Sequence, residues 1–270
     1  MSASPKPVSD LSGAGAESAP RPPSRGIYLL PNLLTTGTLF SGFYAIVAAI
    51  DKHFAPAGMG VFIAMIFDSL DGRIARLTHT ESAFGKEYDS LSDMVAFGLA
   101  PAIVAYQWGV VRIAEYGRAW GRFGWLACFF YAAAAALRLA RFNVRAASDK
   151  RFFEGLPSPS AAATVAGFVW LSSRWHQPGL TGLIIAFTVT AFAGALMVSR
   201  VSYFSFKKLN LEGPVRFIYL LLVPLAIVLI ASDPPLILLS VFGFYAVSAP
   251  IIWFWRRARR HRRPARMGHP

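Results

Sequence analysis

Apolar residues come in long runs along this chain, separated by short polar or proline-bearing joins. The runs lie roughly at 30–50, 57–77, 88–111, 121–143, 159–175, 179–199, 215–231 and 234–255. About 20 apolar residues carry an α-helix across a bilayer core of about 30 Å. The pattern therefore predicts an all-α, polytopic membrane bundle of about eight transmembrane helices, the fifth and seventh being the shortest. Pro56, Pro157, Pro159, Pro178, Pro214, Pro234 and Pro235 fall at the joins, where a residue that cannot continue a helix is expected. Ser232-Asp233-Pro234-Pro235 predicts a tight turn between the last two spans. No internal repeat is visible, and residues 26–255 read as one membrane-embedded domain. Residues 1–25 are rich in Ser, Ala, Gly and Pro and predict a disordered cytosolic tail; they lack the apolar core and cleavage site of a signal peptide. Residues 256–270 predict a basic cytosolic tail.

Composition supports the membrane reading. The chain is 55% hydrophobic and 15% charged, with a mean hydropathy of +0.46, more apolar than a soluble domain of 270 residues needs. The single cysteine, Cys128, has no partner for an internal disulfide and reads as a small buried apolar residue. The net charge of +13 is unevenly spread. With both termini cytosolic, twenty Lys and Arg residues fall in the tails and inner loops against five outside, Lys52, Arg112, Arg118, Arg122 and Arg174. That distribution follows the positive-inside rule and predicts an inner, cytoplasmic-type membrane. The seven arginines between Arg256 and Arg266 abut a span ending in Trp253, Phe254 and Trp255, so they read as a topology anchor attracting anionic headgroups, not as a nucleic-acid site.

The candidate chemistry lies in four carboxylates. Asp68-x-x-Asp71-Gly72-x-x-Ala75-Arg76 is followed after eight residues by Gly85-x-x-x-Asp89-x-x-x-Asp93. Spacings of three and four place each set along one helical face. Carboxylates at a membrane segment are costly and mark functional sites. Two such faces turned toward each other form a cage of oxygen ligands for hard divalent cations. Neutralisation by Arg73 and Arg76 is the structural alternative, and a divalent-cation transporter the functional one. Transporter sites lie near the bilayer midplane, whereas this topology puts Asp68 to Asp93 at the cytosolic ends of two adjacent helices.

These eight fixed positions over 26 residues resemble the signature of the CDP-alcohol phosphotransferases, and none departs from it. The resemblance implies displacement of CMP from a CDP-activated donor by an alcohol, with two divalent cations, Mg or Mn. It implies metal ligation by Asp68, Asp71, Asp89 and Asp93, with Asp93 also the base. Family members commonly form homodimers. On chemical grounds Gly72 and Ala75 leave room for the nucleotide, and Gly85 permits close approach or serves plain helix packing. Arg76 reaches phosphate or ribose-side oxygens or pairs with an aspartate. Lys86 binds phosphate or snorkels. Asn32 and Thr35 either cap the first helix or contact the nucleotide.

Outside the motif, the sequence is similar to the phosphatidylserine synthases over most of residues 29–160. The blocks Leu30-Pro31-Asn32-Leu33-Leu34-Thr35, Phe97-Gly98-Leu99-Ala100-Pro101, Ala136 to Asn143 and Phe153-Glu154-Gly155-Leu156-Pro157-Ser158-Pro159 carry this resemblance. It implies CDP-diacylglycerol and L-serine as substrates, among membrane lipids. Arg138 and Arg141 suit a phosphate or a carboxylate such as that of serine, with Asn143 and Ser158 adding hydrogen-bonding groups. Alternatively, Arg138 pairs with a motif aspartate and Arg141 anchors the interface. The same chemistry with glycerol 3-phosphate or another small alcohol as acceptor is the competing reading.

Overall fold

The computed structural model describes residues 29–78, 80, 82–144, 153–174, 179–203 and 217–261. The predicted N-terminal tail and residues 262–270 lie outside these. Nine α-helices make up most of the described chain: α1 (Leu29–Ile50), α2 (Phe54–Leu77), α3 (Ala83–Asp93), α4 (Ala100–Trp108), α5 (Arg118–Val144), α6 (Ser158–Ser172), α7 (Leu180–Val198), α8 (Phe217–Ser232) and α9 (Pro234–His261). A six-residue π-helical stretch, Met94–Leu99, fuses α3 to α4, and a 3-10 turn, Val110–Tyr116, extends α4. Two two-residue strands, β1 (Phe153–Glu154) and β2 (Ser202–Tyr203), pair antiparallel, with Phe153 opposite Tyr203.

Six of these segments are long and apolar enough to span a bilayer: α1, α2, the fused unit Ala83–Tyr116, α5, α7 and Pro234–Trp253 of α9. The protein is thus an integral membrane protein of helical architecture. The expected count of eight is not reached among the described residues. α6 has 15 residues and α8 has 16. At 1.5 Å per residue α6 is about 22 Å long, short of a full hydrocarbon crossing, and α8 is described only from Phe217 onward. Pro56 marks no break, since it sits in the first turn of α2, where its missing N–H costs little. The turn at Asp233 matches expectation: its carbonyl accepts from Ile237 N at 3.0 Å as α9 begins. α9 continues as helix to His261, into the segment predicted as tail.

Small residues set the spacing of the helices. A Cβ on Gly42 of α1 would lie 2.6 Å from the Ala96 Cα, so only glycine lets α1 lie against the π-helical stretch. That stretch has its own cause. Pro101 has no N–H to return to the Phe97 carbonyl, and the ladder shifts so that Ala100 N bonds Val95 O. The released Phe97 carbonyl accepts from the buried Tyr131 hydroxyl of α5 at 3.0 Å. Cys128 is free and buried one turn away, as expected for a packing residue.

Candidate active site

α2 runs toward the end of the bundle from which α3 returns, so the last turns of α2 and the first turns of α3 share a level. α1 begins there, α5 ends there and α6 starts there. Asp68 and Asp71 come from α2, and Asp89 and Asp93 from α3. One carboxylate oxygen each from Asp68, Asp71 and Asp89 lies within 4.8 Å of the others. Ligands opposite each other on a cation with bonds of 2.0–2.1 Å are about 4.2 Å apart, so this spread is one that small side-chain adjustments close onto a hard cation. Asp71 is buried, and Thr35 Oγ1 of α1 lies 2.8 Å from its Oδ2. Asp93 lies within hydrogen-bonding range of Asp68, and its Oδ1 is buried without a partner.

The described ion pairs join Arg112 to Glu115 and Arg174 to Asp233, and neither involves these four aspartates. Neutralisation by Arg73 and Arg76 is therefore not seen there; both side chains are exposed. Packed carboxylates in a poorly hydrated site need a cation, and the donor set here is the all-oxygen kind that hard divalent ions take. The residues present fit a divalent metal.

Beside the aspartates opens a cavity of about 440 Å³, within the range of small-ligand sites. All seven residues predicted for nucleotide or phosphate contact line it: Asn32, Thr35, Gly72, Ala75, Arg76, Gly85 and Lys86, together with Asp71 and Asp89. A Cβ on Gly72 would meet only Arg76 Nη2, at 3.9 Å, so its lack of a side chain keeps cavity space open. At Gly85 a Cβ would press on Ser82 Oγ at 3.1 Å and approach Asn32 Oδ1 at 3.5 Å. These are side-chain neighbours in the cavity wall, so close packing of helix backbones is not the reason for Gly85. Asn32 and Thr35 do not cap α1, which starts at Leu29 and holds both inside its first two turns.

The other predicted group gathers on α5 and α6. Arg138 Nη1 donates to Ser158 Oγ at 2.7 Å, while Arg138 Nε is buried without a partner. Arg138 is within electrostatic reach of Asp93, so the two predicted sites adjoin, but Ser158 and not an aspartate holds the guanidinium. The Phe153 to Pro159 block has a physical role. Gly155 adopts φ +83°, and a Cβ there would sit 2.3 Å from the Met197 carbonyl. Only glycine makes that turn, which delivers Ser158 to the start of α6. Asn143 is not beside Arg138; its Nδ2 donates to Ser90 Oγ at 2.9 Å, bracing α5 against α3. Arg141 is half-buried one turn beyond Arg138.

Several participants escaped sequence reasoning. Thr80 and Ser82 line the cavity, and Ser82 caps α3 by accepting from Gly85 N at 2.9 Å. A serine just ahead of a helical run was a legible capping signal. Tyr131, whose hydroxyl donates to the Phe97 carbonyl in the helix that carries Asp93, had no local signal.

Comparison with known proteins agrees with this arrangement. The chain is 38% identical over 237 residues to a CDP-diacylglycerol–serine O-phosphatidyltransferase of Helicobacter pylori, covering 86% of this chain and 94% of that protein. It is 31% identical over 255 residues to the protein of the same name from Mycobacterium leprae, covering 87% and 73% of the two. An archaetidylserine synthase of Methanothermobacter thermautotrophicus is 36% identical over 177 residues, 64% of this chain and 69% of its own. The model of the CDP-alcohol phosphatidyltransferase family matches residues 28–205, which include all four aspartates, the cavity beside them, Arg138 and Ser158. With that match over well more than half its length, the chain belongs to the CDP-alcohol phosphatidyltransferase family.

Proposed function

We propose that this protein transfers the phosphatidyl group of CDP-diacylglycerol to the hydroxyl of L-serine, giving phosphatidylserine and CMP. The observation that carries the reading is the junction of two sites. A carboxylate cluster with a nucleotide-sized cavity stands beside a half-buried arginine whose buried Nε has no partner. The names of relatives aligned over most of their length support serine as the acceptor.

In this reading Asp68, Asp71, Asp89 and Asp93 hold two divalent cations, Mg or Mn. Bound there, such ions neutralise the diphosphate and stabilise the departing CMP. Asn32, Thr35, Gly72, Ala75, Arg76, Gly85 and Lys86 form the nucleotide and phosphate wall. Arg138, held by Ser158, binds the serine carboxylate, and Arg141 adds positive charge one turn away. Asp93 Oδ1 takes the proton from the serine hydroxyl as its oxygen bonds to the phosphatidyl phosphorus and the bond to CMP breaks. Residues 26–255 act as one membrane domain between two tails. The excess of Lys and Arg on one side supports a cytosolic face for the site and both termini, in a bacterial-type inner membrane. Family resemblance supports a homodimer.

Purified protein with CDP-diacylglycerol should release CMP only when both serine and Mg or Mn are added, reversibly lost on chelation. Asp71→Asn should abolish release while the protein stays folded in the membrane. Serine-independent or metal-independent release, or full activity of Asp71→Asn at saturating donor and metal, would sink the reading.

A further inference from the structure

α3 carries Asp89 and Asp93 yet has little core packing of its own to hold it in place. Ser92 is its only buried residue, and Phe84 and Leu91 stand 70% and 68% exposed. α1 packs along both α2 and α3, whereas α2 and α3, whose carboxylates meet, make little backbone approach to each other. The roll of α3 about its axis is therefore left to side chains. Tyr88, Asp89 and Ser90 are consecutive, and at about 100° per residue the first and last leave the helix on opposite flanks of Asp89. Each is tied to a different helix. The Thr36 hydroxyl of α1 commits its one proton to the Asn32 carbonyl at 2.8 Å, so the Tyr88 hydroxyl, 3.0 Å away, is the donor to Thr36 Oγ1. On the other flank Asn143 Nδ2 of α5 donates to Ser90 Oγ at 2.9 Å, and Ser90 Oγ in turn donates to the Lys86 carbonyl at 3.1 Å. Both chains of hydrogen bonds end on a helix carbonyl, so each hydroxyl proton in them has an acceptor.

We propose that Tyr88 and Ser90 are positioning residues for the metal centre: their bridges to Thr36 and Asn143 fix the roll of α3 so that the Asp89 carboxylate meets those of Asp68 and Asp71. The inference rests on the aspartate cluster being a divalent-cation site and adds the two contacts that set its geometry. Both residues act through Asp89 and not on the ion. With a bridge gone α3 turns more freely, and an ion that must also order the helix binds more weakly.

The test measures Mn²⁺ binding to purified protein in detergent, without substrates, from the loss of the free-ion electron paramagnetic resonance signal. Asp71→Asn is the reference for a broken site. Tyr88→Phe keeps the ring stacked on Phe84 and removes only the hydroxyl, while Ser90→Ala removes the acceptor for Asn143. Each should weaken Mn²⁺ binding about two- to tenfold, the scale of one lost hydrogen bond, and the double variant by at least the product. Thr36→Val should match Tyr88→Phe, combining the two should weaken binding no further, and Thr36→Ser should bind as wild type. With metal raised to saturation, kcat and the serine KM of Tyr88→Phe should lie within about twofold of wild type. Wild-type Mn²⁺ affinity in either Tyr88→Phe or Ser90→Ala would overturn the proposal. So would a fall in kcat at saturating metal with that affinity unchanged, the mark of a merely structural role. Wild-type protein that binds no more Mn²⁺ than Asp71→Asn would remove the metal reading, and this inference with it.

Discussion

Thr35 Oγ1 on α1 sits 2.8 Å from Asp71 Oδ2 on α2, and its other neighbour, the Pro31 carbonyl, is farther at 3.1 Å. The hydroxyl has one proton, and the carboxylate is the nearer and stronger acceptor. Thr35 thereby fixes which oxygen of Asp71 is left to face Asp68 and Asp89. Residues behind a ligand that orient it commonly contribute ten- to a hundredfold to metal affinity. Thr35→Val should raise the Mg or Mn concentration needed for half-maximal CMP release by about that factor, and Thr35→Ser should restore it. Equal metal requirements in wild type and Thr35→Val would show that Asp71 needs no such support.

Asp93 differs from the other three aspartates in lying outside the tight oxygen triad and in having a buried oxygen, Oδ1, without a partner. Asp93→Asn should lower kcat by about two orders of magnitude or more, the usual scale for losing a general base. Donor binding should change far less. Loss of CDP-diacylglycerol binding in this variant would make ligation, not proton transfer, its main task.

The aspartate cluster was legible in the sequence because its spacing of three and four residues is a helical face, and a face needs no knowledge of the rest of the fold. The seven cavity residues were legible for the same reason: they sit on the turns that carry Asp71 and Asp89, or near the start of α1. Six spanning segments are seen among the described residues against the eight expected, and hydropathy does not register where a helix stops, as α6 shows by ending at Ser172. Asn143 shows the other limit. Its position one helix from the site was readable, but its bond to Ser90 depends on how α5 crosses α3. Tyr131 acts across a separation in sequence that no local pattern encodes.

The bond from Tyr131 to the Phe97 carbonyl compensates for Pro101 at the fused helix that carries Asp93. Tyr131→Phe leaves a buried carbonyl without a donor, which should cost about 1–3 kcal/mol of stability. Thermal unfolding in detergent reports it as a lowered midpoint. An unchanged midpoint would mean that the π-helical stretch satisfies Phe97 by itself.

At the opposite end of the bundle Arg174 donates two hydrogen bonds to Asp233, at 2.9 and 2.6 Å, tying the end of α6 to the start of α9. The guanidinium holds the Asp233 carboxyl below its ordinary pKa of 3.8. A depressed carboxyl pKa stabilises the fold at pH values above the unfolded pKa, and this stabilisation is lost as pH falls through the folded one. The midpoint difference between wild type and Asp233→Asn should therefore be constant near neutrality, begin to shrink as pH falls below about 4, and be lost once pH passes below the depressed folded pKa. The pair is solvent-exposed, so the difference should also shrink in high salt. A difference that does not shrink at all as pH falls below about 4 would point to a role for Asp233 other than its charge, such as capping α9.

Acceptor choice is the point at which the whole account meets one observable. Purified protein should be given CDP-diacylglycerol, Mg or Mn, and an equimolar mixture of serine, glycerol 3-phosphate, inositol and choline, with the lipid products resolved by mass. A half-buried arginine with an unpartnered Nε, in the neighbourhood of Asp93, predicts phosphatidylserine as the dominant product, matched by CMP. A dominant product from glycerol 3-phosphate, inositol or choline, or turnover of none of them, would contradict it.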